Sequence, residues 1–235
     1  MKSLFYLVVF VASHASSFGQ RTEFSLQAGS GLFSYRGPNA VNETGMDYLY
    51  SSYLGNPYGR ASGFSYSLAG QVQQITQKNY IYGIQAAYEQ LTSRVMVTSI
   101  IGDFGSTPLL TGQLAELRNQ YLNLNPFIGK RFGTTRFCLD ATVGLDVGVG
   151  LVSKTRTEVV NPSWPWIVSG ELRRPMPGVD IRPRANVTGY YRSFGLSIGY
   201  SRGLSNYTPT PYSTNASTYT QYWRASVICR LGKRT

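Results

Sequence analysis

Histidine is almost missing: the 235 residues hold one, His14. It falls in a leading segment that reads as an export signal, so the rest of the chain has no imidazole. A Ser-His or Ser-His-Asp nucleophile needs that ring as its base and is excluded. Zinc and other imidazole-dependent metal sites are disfavoured, and two separated cysteines, Cys138 and Cys229, do not replace them. No enzymatic activity and no cofactor are expected. Charge is also scarce, with only 14% Asp, Glu, Lys and Arg. Beyond the leading segment there is no run of ~18 apolar residues, which excludes a spanning helix.

The leading segment has Lys2, an apolar stretch Leu4 to Ala12, and small residues Ser17 and Gly19 before Gln20. This is the pattern of a secretory signal over 1–19, with one domain over 20–235. No cysteine directly follows the apolar stretch, so a lipid anchor is not expected. An exported chain without a spanning helix is either soluble or a barrel.

What is abundant favours the barrel: 18 Tyr, 11 Phe and 25 Gly, arranged with every second residue apolar. Eight such stretches are predicted, near 22–33, 63–75, 80–91, 120–132, 136–151, 179–192, 194–204 and 219–231. The joins alternate in length. Short ones fall near Gln77–Asn79, Gly133–Thr135 and Arg192–Ser193; long ones cover 34–62, 92–119 and 153–178, with a medium one near 205–218. The expected fold is an all-β, eight-stranded antiparallel transmembrane β-barrel, with short periplasmic turns and long extracellular loops. Pro126 lies inside the fourth strand and predicts a bulge or a local loss of pairing. The fifth strand is long for one crossing, so its outer end should project. Residues 107–119 could form a short helix. A soluble β-sandwich or lipocalin-like barrel shares the period of two. Its apolar face would be the inner one, and its loops need not alternate.

Alternation sends a set of charges to the lumen: Glu23, Glu89, Asp140 and Asp146 with Arg182, Arg184, Arg192, Arg224 and Arg230. Lone charges in a narrow tube are costly, so a paired network plugging the barrel is the favoured reading. A gated ion or proton path is the alternative. Closure of the last strand on the first should bring Arg230 near Glu23, and Asp140 and Asp146 should face the arginines of the sixth strand.

The net charge of +11 is scattered, and with the export signal it argues against nucleic acid. Lys78, Lys130, Arg131 and Arg136 at strand ends, and Lys154, Arg156, Arg173 and Arg174 in the third loop, suit phosphate-bearing lipid, including lipopolysaccharide. The first long loop is rich in tyrosine, with Tyr35, Tyr48, Tyr50, Tyr53 and Tyr58. The last four, with Trp164 and Trp166 of the third loop, are candidate contacts for an envelope protein partner. An aromatic belt with an ordered loop is the competing reading. Cys138 is placed on the lumen face and Cys229 on the lipid face, so no disulfide is expected.

Two segments carry a resemblance. One is Tyr121-Leu-Asn-Leu-Asn-Pro-Phe-Ile-Gly-Lys130-Arg-Phe-Gly133 with Phe137-Cys-Leu-Asp-Ala-Thr-Val-Gly144; the other is Phe194-Gly-Leu-Ser-Ile-Gly-Tyr-Ser-Arg-Gly203-Leu-Ser-Asn206. Together they resemble the PorT-like outer-membrane β-barrel domain common in Bacteroidota. The resemblance implies an eight-stranded outer-membrane barrel with no catalytic residues. Some members of that family assist a secretion machine linked to gliding. The main expectation is therefore a structural or surface-interaction protein acting through its long loops. The alternatives are a secretion accessory, a lipid-modifying enzyme or a small-solute channel.

Overall fold

A computed structural model describes residues 21–47, 53–102, 105–134, 136–160, 167–208 and 217–231. The leading segment lies outside them. The strands are β1 (Arg21–Arg36), β2 (Glu43–Asp47), β3 (Tyr53–Leu54), β4 (Ala61–Ile75), β5 (Tyr80–Gly102), β6 (Gly105–Gly133), β7 (Phe137–Val160), β8 (Ile167–Arg173), β9 (Val179–Tyr191), β10 (Phe194–Arg202) and β11 (Tyr219–Leu231). Eight of them, β1, β4, β5, β6, β7, β9, β10 and β11, form a closed antiparallel ring. The first and last strands seal it, with Phe24 opposite Leu231 and Arg36 opposite Tyr219.

The alternation has a direct physical result. Phe24, Leu26, Phe64, Leu68, Leu122, Ile128, Val143, Leu196, Ile198 and Val227 are exposed on the outside. Ser25, Gln27, Ser67, Gln73, Gln85, Asn123, Asn125 and Ser197 are buried inside. A soluble sandwich or barrel would reverse this. Exposed aromatics gather at both ends of the apolar band. Tyr80, Phe132, Phe137, Tyr191 and Phe194 lie at the short-turn end, and Phe64, Tyr66 and Trp223 at the other. On β6 the band runs from Leu122 to Phe132. Ten strand residues at ~3.4 Å each, tilted ~45°, rise about 25 Å, the height of a barrel's apolar belt. A closed barrel carrying such a belt satisfies its backbone internally and is an outer-membrane protein.

Three joins are tight. Thr76–Asn79 connects β4 to β5, with Asn79 left-handed (φ 62°) and its amide donating to the Thr76 carbonyl. Gly133 has a φ of 104° before the β6–β7 turn, a conformation that favours glycine. Arg192 and Ser193 alone connect β9 to β10, with Arg192 at φ 54°.

The strands outrun the expected loops. Much of 92–119 continues β5 and β6, paired from Leu91↔Asn119 to Gly102↔Gly105. The helix expected over 107–119 is therefore replaced by strand, because a partner strand satisfies the same backbone groups along a ready-made ladder. β7 extends to Val160 and pairs with β8. β2 adds in parallel along the outer half of β5, and β3 pairs with β2. This projection has an apolar interior. Met46, Leu54, Val95, Val97, Ile100 and Ala115 form one cluster. Phe33, Tyr35, Leu91, Leu117, Tyr121, Tyr207 and Tyr222 form another at the mouth of the barrel.

Pro126 pairs with Ile84 on β5. On its other side the β6–β7 ladder stops at Leu124↔Val147 and resumes at Phe127↔Gly144 in the same register. The expected loss of pairing occurs, without a bulge. The bulge in this pair lies higher, between Gln120 and Tyr121 opposite Val152 and Gly150.

Candidate functional site: a stack of paired charges along the barrel axis

The inward side chains form layers. Nearest the short turns, Arg131 bridges two carboxylates, donating to Glu23 Oε1 and Oε2 (3.0 and 2.9 Å) and to Asp140 Oδ1 and Oδ2 (2.7 Å each). Arg230 Nε lies 3.2 Å from Glu23 Oε2, and its Nη2 lies 3.7 Å from Asp140 Oδ2. Its guanidinium sits 3.4 Å from the centre of the Tyr190 ring. Arg230 thus meets Glu23 across the β1–β11 seam. The Arg230 Nη2 also donates to the Cys138 sulfur at 3.5 Å; Cys138 and Cys229 are both free thiols.

An amide layer follows. Gln73 donates to Glu23 (2.9 Å), Gln71 to Gln73 (2.9 Å), and Gln85 to Gln27 (2.5 Å). Gln85 accepts from Arg184 at 2.7 Å, which links this layer to the next. The void here is ≈ 20 Å³, on the order of one water molecule.

The third layer holds Glu89, Asp146 and Asp180 with Arg182, Arg184 and Arg224. Glu89 accepts from Arg182 (3.0 Å) and Arg224 (2.9 Å). Asp146 accepts from Arg224 (2.9 Å) and Arg184 (3.3 Å). Arg182 Nε lies 3.7 Å from Asp180. Arg182 is fully buried, and its Nη2 also donates to Asn123 Oδ1 at 2.9 Å. Gly148 makes room for this, since a β-carbon there would collide with Asn123 Oδ1.

Aromatics cap the stack. Tyr207 donates to Asp180 Oδ2 at 2.7 Å and shares a hydrogen bond with the Tyr121 hydroxyl. Asn119 donates to the Tyr35 hydroxyl at 2.8 Å. The Arg182 and Arg224 guanidiniums lie 5.4 Å and 4.5 Å from the Tyr121 and Tyr222 ring centres.

The expected charge set needs correction. Arg192 is not in the lumen: it sits exposed in the β9–β10 turn, its guanidinium over the Tyr191 ring. Two residues cannot turn a chain and also keep its alternation. Arg131, expected at a strand end facing lipid, is instead a lumen residue at the centre of the first layer. Its parity with Asn123 and Asn125 was the signal. Asp180, absent from the expected charge set, is fully buried beside Arg182. Asp140 meets Arg131 and Arg230, not the β9 arginines. With these changes the buried charges of each layer balance: Glu23 and Asp140 against Arg131 and Arg230, then three carboxylates against three guanidiniums; Arg21, exposed at the short-turn rim, adds a 3.2 Å contact to Glu23. Neutrality is what a poorly solvated tube demands.

The loop aromatics divide. Tyr58, a candidate partner contact, is half-buried. Its ring packs edge-on against Tyr35 and Tyr207, and its hydroxyl donates to the Tyr207 carbonyl at 3.1 Å. Tyr35 is fully buried. Tyr53 begins β3, and its side chain lies outside the described residues, as do Tyr48, Tyr50, Trp164 and Trp166. Arg174, expected as a surface cation, is buried and donates to Thr155 Oγ1 and the Leu54 carbonyl. Among the described residues no group of three or more acids, cysteines or histidines could hold a metal.

No family model matches the chain, and no curated protein matches it. Solved structures similar to it are barrels of comparable length. The attachment invasion locus protein of Yersinia pestis is 10% identical, covering 90% of this chain and 99% of its own, at a TM-score of 0.40. Neisserial surface protein A is 9% identical, covering 88% and 97%, at 0.43. The outer membrane protease OmpT from Escherichia coli is 10% identical, covering 92% and 98%, at 0.40. Similarity at this level says nothing of activity; the barrel is established by its own closed ladder of hydrogen bonds.

Proposed function

We propose that the protein is a non-catalytic outer-membrane barrel with a plugged lumen, which presents a rigid β-projection to a protein partner at the cell surface. One observation carries this reading: the polarity of the wall inverts with height. Within the belt the outside is apolar and the inside polar; above it Leu91, Val95, Val97, Ala115 and Leu117 are buried. A strand projection with its own apolar interior holds its shape in water, as a recognition surface requires. The plug rests on the two neutral charge layers and the single-water void between them. The motif resemblance to PorT-like barrels supports an envelope protein as the partner.

The test has two arms. In planar bilayers the purified protein should give no steady conductance steps, and regular steps would overturn the plug. In intact cells, shortening the β5–β6 hairpin to remove 97–113 should abolish cross-links to a partner while the unboiled protein still migrates as a folded barrel. Unchanged cross-linking would overturn the surface role.

A further inference from the structure

Just above the belt, the outward faces of β5 to β8 carry charges in register. The ladder sets four rows by height. Tyr88, Leu122 and Val149 form the last apolar row. Gln90, Gln120 and Val152 lie above it. The next row is Thr92, Arg118, Lys154 and Arg173 on successive strands. The fourth is Arg94, Glu116, Arg156 and Glu171. The third row thus places three cations side by side, and like charges directly opposite one another destabilise a sheet.

The fourth row offsets this only in part. Glu116 accepts from Arg118 (2.7 Å) and Arg94 (3.0 Å), and Glu171 meets Lys154 at 2.6 Å. Arg173 and Arg156 are exposed and make no ion pair among the described residues. Five cations stand against three carboxylates, Glu158 being the third. Arg118, Lys154 and Arg156 open onto a groove of ≈ 450 Å³ on this face, whose wall also carries Glu158 and Glu171.

Height identifies the ligand. Four residues separate Arg118 from Leu122, about 13 Å along the strand and roughly 9 Å above the belt once tilted. The headgroup zone extends about 5–8 Å beyond the hydrocarbon on each side. The cation row therefore stands at the outer edge of that zone, within a side chain's reach of lipid phosphates. We infer that the Arg118–Lys154–Arg173 row is a binding site for the phosphate groups of an outer-leaflet glycolipid. It lies on the outer wall, away from the lumen charges, and needs only that the barrel be inserted.

The test uses the full-length barrel in detergent with two probes: diphosphorylated lipid A and the same glycolipid with its phosphates removed. The phosphorylated form should bind at least about tenfold more tightly, since each cation near a charged surface contributes appreciably. The triple variant R118Q/K154Q/R173Q should lose that preference. It should still migrate as a folded barrel before boiling, because the three side chains lie above the belt and the change leaves the belt strands and the lumen untouched. Equal affinity of the native protein for both probes would overturn the site, as would a preference that survives in the triple variant. Displacement of the lipid by inorganic phosphate at matching concentration would assign the row to a soluble anion and overturn the lipid assignment. A fault in the surface-partner reading would leave these results unchanged.

Discussion

At the scale of single residues, position in the wall decides what a charge is worth. Arg182 and Arg192 are both arginines on or beside β9, yet one is fully buried between two carboxylates and the other lies exposed in a turn. Arg182→Met should cost about 3–5 kcal/mol, because it strands Asp180 and half-strands Glu89 in a dry layer. Arg192→Ala should stay within about 0.5 kcal/mol. Urea titration of the gel-shift transition in micelles measures both, and equal midpoints would refute the layer assignment. Glu116 behaves differently, since it stands outside the membrane. Partial burial pushes its carboxyl up, but hydrogen bonds and charge from Arg118 and Arg94 prevail and hold it below its ordinary 4.5. A depressed carboxyl contributes stability that is complete above its unfolded value and is lost as pH falls through the folded one. Protease cleavage of the projection should therefore rise below about pH 4.5, by a modest factor because the group is largely solvated. In Glu116→Gln the cleavage should already be raised at neutral pH.

At the scale of elements, parity governs everything. Along β7 the even positions from Cys138 to Asp146 point inward, but above the bulge it is Ser153, Thr155 and Thr157 that are buried. An unbroken ladder would have turned Lys154, Arg156 and Glu158 into the apolar interior. The extra residue absorbed at Leu151–Val152 prevents this. Deleting Leu151 should straighten the ladder without changing which side chains face inward, and the heat-dependent gel shift should persist. Deleting Val143, where no slack exists, should flip the rest of the strand and abolish the shift. Pro126 is a second break. Pro126→Val supplies an amide opposite the unpaired stretch of β7 and should raise stability by about 0.5–1.5 kcal/mol in the same urea assay. Much of this scale was legible beforehand: strand faces, tight turns and the proline defect all follow from short-range pattern. The outer extensions were not. Ten of the 21 residues of 92–112 are serine, threonine or glycine, and the stretch reads as loop until a partner strand is present to take up its hydrogen bonds.

At the scale of the whole molecule, two environments are stacked in one wall. Leu91, Val95 and Leu117 face inward on the same strands whose Leu122, Leu124 and Ile84 face outward below. The bilayer makes an apolar exterior favourable in the belt, and water makes it unfavourable above. Tyr35 stands near that boundary, buried against Phe33, Tyr58 and Tyr207. Tyr35→Ala should cost about 3–5 kcal/mol and should speed hydrogen exchange in the projection more than in the belt strands; uniform acceleration would show that the two parts unfold as one. Period-two patterning and tight turns determined the barrel and its membrane, because each is a local property of the chain. Charge pairing was decided only by closure. Arg131 meets Glu23 across 108 positions, and Arg224 meets Glu89 across 135. No local pattern encodes such partners. They are set by strand register and by the need for each desolvated layer to be electrically neutral.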